Sequence, residues 1–210
     1  MATKQLARLV TGIPTILVWL VAVTVGIFGL VRYQMTPGAN ADEIPRDWPI
    51  GTDISRNSNG FTLVMLLHPQ CPCSVASVHE LSELMSRANG KIVAHVLFVE
   101  PPGAPAGWCD GDLWSDARAI KGVSVSIDKE GHDAAIFGAA TSGDVLVYDA
   151  SGKLRFNGGI TDGRGHEGEK AGYSAVLALA RGNQAAVSST AVYGCSLGVC
   201  RRAGDGRNGQ

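Results

Sequence analysis

The pattern of apolar and polar positions divides the chain into one long apolar run and a series of shorter, alternating segments. Residues 9–31 carry no charged side chain, and a run of about 23 such residues suffices to cross a hydrocarbon core of roughly 30 Å. We therefore predict a transmembrane helix over residues 9–31. Lys4 and Arg8 precede the run and Arg32 follows it, a slight bias of positive charge that favours a cytoplasmic N-terminus.

A cleaved signal peptide is the alternative interpretation of the same run. Ala39-Asn40-Ala41 has the small-x-small form of a cleavage site. However, that site lies beyond the end of the apolar run, and the run is longer than the apolar region of an ordinary signal peptide. We therefore favour an uncleaved anchor.

The segments after residue 60 alternate between strand-like and helix-like patterns. Residues 61–67 form a continuous apolar run, which is typical of a strand covered on both faces. Residues 74–88 repeat apolar side chains at the spacing of an amphipathic helix. The remaining predicted elements are strands over 91–99 and 123–127, helices over 112–121, 131–137 and 172–181, and a hairpin over 144–148 and 153–157. This order predicts an α/β fold, a mixed sheet with helices on both faces.

Two cysteines, Cys71 and Cys73, stand where the first strand gives way to the first amphipathic helix. Proline is favoured at the first helical position, so Pro72 makes Cys71 the predicted N-cap residue. A thiolate there faces unpaired backbone N–H groups and the positive end of the helix dipole, and both stabilise the anion. Cys71 is therefore the predicted nucleophile, with His68 and Ser74 as flanking, supporting residues.

The composition narrows the range of functions. A net charge of −1 gives no reason to expect a nucleic-acid partner. The glycine-rich loop over residues 158–169 lacks the G-x-x-x-x-G-K-[ST] pattern of a phosphate-binding loop. Arg164 and His166 in this loop are candidates to reach the cysteines and stabilise a thiolate. The total of five cysteines is odd, so at least one thiol is unpaired within a monomer.

These motifs resemble the thioredoxin superfamily, and most closely the membrane-tethered, extracytoplasmic TlpA-like proteins of bacteria. The resemblance covers about residues 60–186. It rests on the cysteine motif at the start of the first long helix and on the late strand pair with its Ser151-Gly152 turn. It implies a thioredoxin-like mixed sheet and a thiol–disulfide oxidoreductase that needs no cofactor. Cys71 and Cys73 would be the catalytic pair, and protein thiols or disulfides of the periplasm the partners.

The resemblance gives the chain a predicted organisation in a bacterial inner membrane, with a single span and the soluble domain facing the periplasm. Its five parts are a cytoplasmic N-terminus (1–8), a transmembrane helix (9–31), a periplasmic tether (32–59), a thioredoxin-like domain (60–188) and a C-terminal tail (189–210). The tail carries Cys195 and Cys200, whose spacing allows a small loop closed by a disulfide.

The cysteine spacing departs from the family's pattern, in which two residues separate the pair. Here one residue separates them, and Ser74 stands where the second cysteine would fall; the opposite alignment would put Gln70 in the nucleophile's position. Residues two apart in a helix point in nearly opposite directions, so a Cys71–Cys73 disulfide would distort the first turn. Cys73 is still the first choice as resolving thiol. The alternative resolving thiols are Cys109 and Cys195.

Two further features of the family are missing. The family's cis-proline should fall within residues 140–143, where Thr141 and Ser142 stand instead as candidate supporting residues. The carboxylate that the family buries behind the cysteines is absent from residues 61–67. Glu100, at the end of the second strand, is a candidate substitute, although a solvated acid at the end of a strand is the favoured interpretation.

Two other functions stay open at this point. A copper chaperone would use soft ligands, drawn from Cys71, Cys73 and His166 or His132. A thiol peroxidase would oxidise Cys71 to a sulfenic acid, although residues 67–70 lack the threonine that such peroxidases place before the cysteine.

Overall fold

The computed structural model describes residues 2–39, 43–168 and 170–198. It contains two compact units, one up to Thr36 and one from Pro37 onward. The first unit is a single helix, α1 (Ala2–Gln34), which extends beyond both ends of the predicted span. Its portion Pro14–Gln34 is long and apolar enough to cross a membrane, with a mean hydropathy of 2.3. The chain therefore carries one apolar helix that has the length and composition of a membrane span or a signal sequence.

In the described part of the second unit, five strands form one mixed sheet in the order β3-β2-β1-β4-β5. The strands β1, β2 and β3 run parallel to one another, whereas β4 is antiparallel to both β1 and β5. The strands are β1 (Phe61–Leu67), β2 (Ile92–Glu100), β3 (Val123–Lys129), β4 (Asp144–Tyr148) and β5 (Leu154–Gly158). The helices are α2 (Cys73–Arg87), α3 (Asp112–Ala119), α4 (His132–Phe137) and α5 (Ala171–Ala180). The predicted α/β fold with a mixed sheet is confirmed.

The central strand β1 is covered on both faces, as its unbroken apolar sequence predicts. Successive side chains of a strand point to opposite faces of the sheet. Leu63, Met65 and Leu67 accordingly pack with α2 and α5, while Val64 and Leu66 pack with α4. Burial on both faces is consistent with the position of β1 in the middle of the sheet. The cysteine motif follows directly after the C-terminal end of this strand.

The segment predicted as a tether packs against the sheet from Pro37 onward. The N–H of Leu154 donates to the Arg46 carbonyl at 2.8 Å, and the Tyr148 hydroxyl donates to the Pro45 carbonyl at 2.9 Å. The ring of Trp48 stacks edge-on against Tyr148, with 5.2 Å between the ring centroids. The predicted boundary between residues 59 and 60 therefore falls inside the compact unit. Backbone hydrogen bonds and one aromatic anchor hold this segment, and neither gives a periodic pattern in the sequence.

Residues 189–198, predicted as the start of the C-terminal tail, also pack on the domain. The N–H of Thr190 donates to the Asn157 carbonyl of β5 at 3.2 Å, and the Val192 carbonyl accepts from the N–H of Gly38 at 2.8 Å. Val192 and Leu197 are buried. The boundary at residue 188 is thus a correction: the compact unit continues to at least residue 198.

Candidate functional site

Cys71 and Cys73 lie in the turn between β1 and α2. The helix α2 begins at Cys73, and its N-cap is Pro72 with φ −63° and ψ −25°. The prediction that Cys71 is the N-cap is therefore one residue too early. Pro72 already has helical dihedral angles, and the first turn closes through the Ser74 N–H, which donates to the Cys71 carbonyl at 3.0 Å. Cys71 still lies at the N-terminal end of the helix, in the last residue before the cap.

Cys195 reaches the same place from the C-terminal part of the chain. Residues 194–197, here called the 194–197 segment, run antiparallel to residues 140–142, which connect α4 to β4. Three backbone contacts fasten them: Ser142 N–H to the Cys195 carbonyl (2.8 Å), Leu197 N–H to the Ala140 carbonyl (3.0 Å), and an antiparallel bridge between Thr141 and Ser196. The site therefore contains a third thiol that the cysteine motif alone does not predict as a member.

The Cys71 sulfur receives hydrogen bonds from several sides. Burial opposes ionisation of the Cys71 thiol, but hydrogen bonds from the thiol and the N–H of Cys195, from the Ser74 hydroxyl and from the Cys73 N–H outweigh it. These donors hold the pKa of Cys71 below that of an ordinary thiol. The structure thus stabilises the thiolate at the cysteine that the sequence singles out as the nucleophile.

The other two thiols of the site, those of Cys73 and Cys195, have raised pKa values. Burial and the neighbouring Cys71 charge raise the pKa of Cys73, and burial together with the hydrogen bond to Cys71 raises that of Cys195 to about 11. Arg164 lies close enough to both to offset part of this effect. The site therefore places one thiol with a lowered pKa beside two thiols with raised pKa values.

Ser74 and Ser142 link the cysteine motif to the loop before β4. Their hydroxyl oxygens are 2.8 Å apart, and Ser142 Oγ accepts a hydrogen bond from the His68 N–H at 2.8 Å. Both serines are buried. Ser74 occupies the position of the family's second cysteine, but a hydroxyl cannot form a disulfide. The Ser74 hydroxyl lies 3.4 Å from the His68 carbonyl oxygen, and as a neighbour of Cys71 it helps to lower the pKa of that thiol.

Two further predicted supporting residues also lie close by. The His68 ring packs edge-on against Trp108, with 5.7 Å between the centroids, and its Nδ1 accepts a hydrogen bond from the Gln70 N–H at 3.1 Å. Burial lowers the pKa of His68, so the ring is neutral at pH 7. Thr141 is buried, and its hydroxyl donates to the Ala39 carbonyl at 2.9 Å.

The glycine-rich loop over residues 158–169 brings Arg164 close to Cys73 and Cys195, whereas the described contact of His166 lies within the loop. The Arg164 guanidinium donates to the Gly194 carbonyl at 2.5 Å. His166 is half-buried, and its N–H donates to the Gly163 carbonyl at 3.3 Å within the loop. Two contacts fasten the loop to α2: the Gly168 N–H donates to the Glu80 carboxylate, and Glu167 pairs with His79 at 2.9 Å. Glu80 is buried, and the sequence did not predict that its carboxylate would bind the loop.

Cys109, one of the predicted alternative resolving thiols, lies in the hydrophobic core. Its sulfur donates to the Phe98 carbonyl at 3.9 Å. Burial, together with the negative charges of Glu100 and Asp110, raises the pKa of Cys109 to about 11. Glu100, predicted as a substitute for the family's buried carboxylate, therefore acts on Cys109. Cys200, the other cysteine of the predicted tail loop, lies outside the described residues.

A second buried carboxyl that sequence reasoning missed is Asp144, at the start of β4. Burial raises the pKa of Asp144 to about 7, and a hydrogen bond from the Val145 N–H opposes this only in part. Asp144 lines a cavity of about 370 Å³ beneath residues 189–192. Its position at the first residue of a buried strand was the available signal.

The donor set for copper does not come together within the part of the chain that the structure describes. There, no group of three or more His, Cys, Asp and Glu side chains has an arrangement suited to a metal ion.

The fold and the site together allow comparison with known proteins. The order of the sheet, its parallel and antiparallel pairs, and the cysteines at the start of the helix after β1 match the pattern that the resemblance implied. The fold is thioredoxin-like.

No protein-family model and no curated protein matches the sequence. Among solved structures, the thioredoxin-like chain is similar to an uncharacterized conserved protein from Geobacillus kaustophilus, with a TM-score of 0.60 and 16% identity over 77% of this chain and 96% of that one. A hypothetical protein from Sinorhizobium meliloti 1021 has a TM-score of 0.59 and 17% identity over 76% and 97% of the two chains. At such identities the likeness concerns the fold alone.

Proposed function

We propose that this chain is a membrane-anchored thiol–disulfide oxidoreductase that acts in the periplasm, with Cys71 as its nucleophile. One observation carries the proposal. The Cys71 sulfur, at the N-terminal end of α2, accepts hydrogen bonds from Cys195, Ser74 and the Cys73 N–H, and these lower its pKa despite burial. Thiol–disulfide exchange requires a thiolate, and the lowered pKa of Cys71 favours that form.

The substrate class follows from the same chemistry. A thiolate attacks a disulfide sulfur and forms a mixed disulfide, which a second thiol then resolves. The neighbouring protonated thiols provide that second thiol. We infer protein disulfides or dithiols as substrates and α1 as the anchor that keeps the domain at the membrane surface.

The test of the nucleophile uses the full chain in detergent with a peptide disulfide as substrate. We expect Cys71→Ser to reduce the exchange rate by at least about 100-fold, because no other thiol of the site is ionised at pH 7. Cys109→Ser is the matched control, since it also removes a buried thiol, and it should keep the rate. Retention of exchange by Cys71→Ser would refute the proposal.

The location is tested separately in living bacteria. Alkaline phosphatase, which folds only in an oxidising compartment, is fused after Gln210, and a reporter active only in the cytoplasm is fused at the same place. We expect an active phosphatase and an inactive cytoplasmic reporter. The reverse result would place the domain in the cytosol while leaving the role of Cys71 open to the exchange assay.

A further inference from the structure

Cys71 is the nucleophile of the proposed function, yet its side chain is only 2% exposed. A disulfide in solution cannot reach a sulfur that is covered in this way. The cover includes the 194–197 segment, whose Cys195 offers both its thiol and its N–H to the Cys71 sulfur. The structure therefore shows the site with the Cys71 sulfur covered. Attack on a substrate disulfide requires that part of this cover moves away.

The 194–197 segment is held as an extended peptide would be held. Its backbone pairs antiparallel with residues 140–142 through two hydrogen bonds of 2.8 and 3.0 Å. An external peptide that presents a disulfide sulfur to Cys71 from this side needs the same backbone groups of Ala140 and Ser142. When a peptide adds to a protein as an extra strand, main-chain hydrogen bonds supply the affinity, so peptides of many sequences can bind in this way. The segment and such a peptide exclude each other.

We propose that the 194–197 segment is an intramolecular stand-in for the substrate, which an extended, cysteine-bearing peptide displaces and which then returns to place Cys195 as the resolving thiol. This inference rests on the proposed function, because it assigns the second thiol of the same exchange reaction.

The chemistry balances in two steps. The Cys71 thiolate attacks one sulfur of the substrate disulfide; a Cys71–substrate bond forms, the substrate S–S bond breaks, and the leaving thiolate takes a proton from water. The Cys195 thiol then gives its proton to water and attacks the Cys71 sulfur, which forms a Cys71–Cys195 disulfide and releases the second substrate sulfur as a thiol. The substrate has gained two electrons, and a dithiol protein returns the oxidised pair to its reduced form.

The electrostatics favour this order of events. The Cys71 charge and hydrogen bond raise the pKa of Cys195, and both vanish once Cys71 is part of a mixed disulfide. When the 194–197 segment returns, Cys195 again lies beside Arg164, which favours its thiolate. Cys195 is therefore held protonated before the attack and is more easily ionised after it.

Cys73 is the competing resolving thiol, because it too lies beside Cys71. A Cys71–Cys73 disulfide would close a tight ring across Pro72 and would strain the turn that the Ser74 N–H and the Cys71 carbonyl close at 3.0 Å. Cys195 belongs to a separate segment that meets no such constraint. Resolution by Cys73 leaves a Cys71–Cys73 disulfide, and resolution by Cys195 leaves a Cys71–Cys195 disulfide. An experiment that identifies the disulfide distinguishes the two.

The first experiment identifies the disulfide of the full chain in detergent after reaction with a peptide disulfide. Trypsin leaves Cys71 and Cys73 together on residues 57–87, and Cys195 on residues 182–201. A Cys200→Ser background removes the second cysteine of the latter peptide. We expect a cross-link between the two peptides, which Cys73→Ser retains. A disulfide confined to residues 57–87 would overturn the inference while leaving the proposed function intact, and a complete lack of exchange would instead refute the proposed function.

The second experiment traps the intermediate. With Cys195→Ser, the mixed disulfide with the peptide should accumulate, whereas with Cys73→Ser it should not accumulate. In the trapped complex, the amides of residues 195–197 should exchange with deuterated solvent faster than in the free protein, since the peptide has displaced them. Accumulation with Cys73→Ser alone, or unchanged amide exchange, contradicts the inference.

The third experiment loosens the segment. A Cβ added at Gly194 would lie 1.9 Å from the Ser142 carbonyl oxygen, so Gly194→Ala must shift the segment away from residues 140–142. We expect about a tenfold rise in the alkylation rate of Cys71 at pH 7 as its cover opens. Ser188→Ala, an exposed change outside the segment, is the matched control. An unchanged rate in a folded Gly194→Ala variant means that the segment is not the cover, and the trapping experiment decides the question if that variant does not fold.

Discussion

Cys71 and Cys109 are both buried in the same domain, with 2% and 4% of their surfaces exposed, yet their surroundings shift their pKa values in opposite directions. Cys71 has hydrogen-bond donors on several sides, whereas Cys109 has the carboxylates of Glu100 and Asp110 nearby and donates to a carbonyl. Burial penalises the thiolate in both places. The neighbouring groups decide which thiol ionises, so exposure alone is a poor guide to a reactive cysteine.

The largest expected difference is in the pH profile of alkylation by iodoacetamide. At pH 7 a thiol with a pKa of about 11 is ionised to only about one part in ten thousand, which applies to Cys109. The pKa of Cys71 is lowered, so its alkylation should persist well below about pH 8.5, the pKa of an ordinary thiol. We expect Cys71 to react at least about 100 times faster than Cys109 at pH 7.

The readout is the pH of half-maximal rate for each peptide, measured by mass spectrometry on the full chain. Limited access scales the rate of a buried thiol equally at every pH and leaves this midpoint unchanged. Coincident midpoints for Cys71 and Cys109 would remove the contrast on which the proposed nucleophile depends.

The difference between these cysteines was only partly accessible from the sequence. Residues 61–67 were predicted with the observed bounds because a continuous apolar run marks a buried strand. Residues 144–148 were also predicted with the observed bounds, as the first strand of a hairpin that turns at Ser151-Gly152. The cysteine motif at the end of β1 follows from the same local pattern. The donors to Cys71 divide into two classes: Ser74 and the Cys73 N–H are neighbours in sequence, but Cys195 is not.

The place of Cys195 was beyond local reasoning. Its segment pairs with residues 140–142 through backbone groups that every residue carries, so no side-chain periodicity marks it. The one sequence signal was Gly194, whose Cα packs against the Ser142 carbonyl in a space that admits no Cβ. The carboxylates around Cys109 were likewise invisible as a group, because the packing of β2 against the following loop brings them together.

Asp144 can be compared with the two cysteines, because it is a buried acid whose ionised form is stabilised by one hydrogen-bond donor, the Val145 N–H. Burial raises its pKa to about 7, above the value of about 3.9 in an unfolded chain. The folded state therefore favours the protonated form: the associated stability is fully present below about pH 4 and is lost as the pH rises toward 7. Asp144→Asn should raise the free energy of unfolding by about 4 kcal/mol at pH 8 and change it little at pH 4.

Urea unfolding of the full chain in detergent, followed by tryptophan fluorescence at both pH values, measures this effect. Asp116→Asn, an exposed change on α3, is the control and should give the same free energy as the unchanged protein at each pH. An equal gain at pH 4 and pH 8 would show that Asp144 is destabilising for a reason other than its charge.

A smaller effect isolates one donor of Cys71. Ser74→Ala removes the hydroxyl that hydrogen-bonds the Cys71 thiolate, so the pKa of Cys71 should rise and its alkylation rate at pH 7 should fall about fivefold. Ser86→Ala lies on the same helix, where its hydroxyl is exposed and bonds to Glu83. This control should leave the rate of Cys71 unchanged. A fall of equal size in both variants would indicate a general loosening of α2.

The smallest effect concerns the negative charge beside Cys109. Glu100 raises the pKa of the Cys109 thiol, so Glu100→Gln should lower that pKa toward the ordinary value. The half-buried position of Glu100 leaves it partly screened by water, and we expect only about a twofold faster alkylation of Cys109 at pH 9. Glu83→Gln, on the exposed face of α2, serves as the control. In 1 M salt the charge of Glu100 is screened within about 3 Å, and the two variants should then converge. A difference that survives high salt would mean that Glu100 acts on Cys109 by packing. The raised pKa of Cys109 would then be due to burial and Asp110 alone.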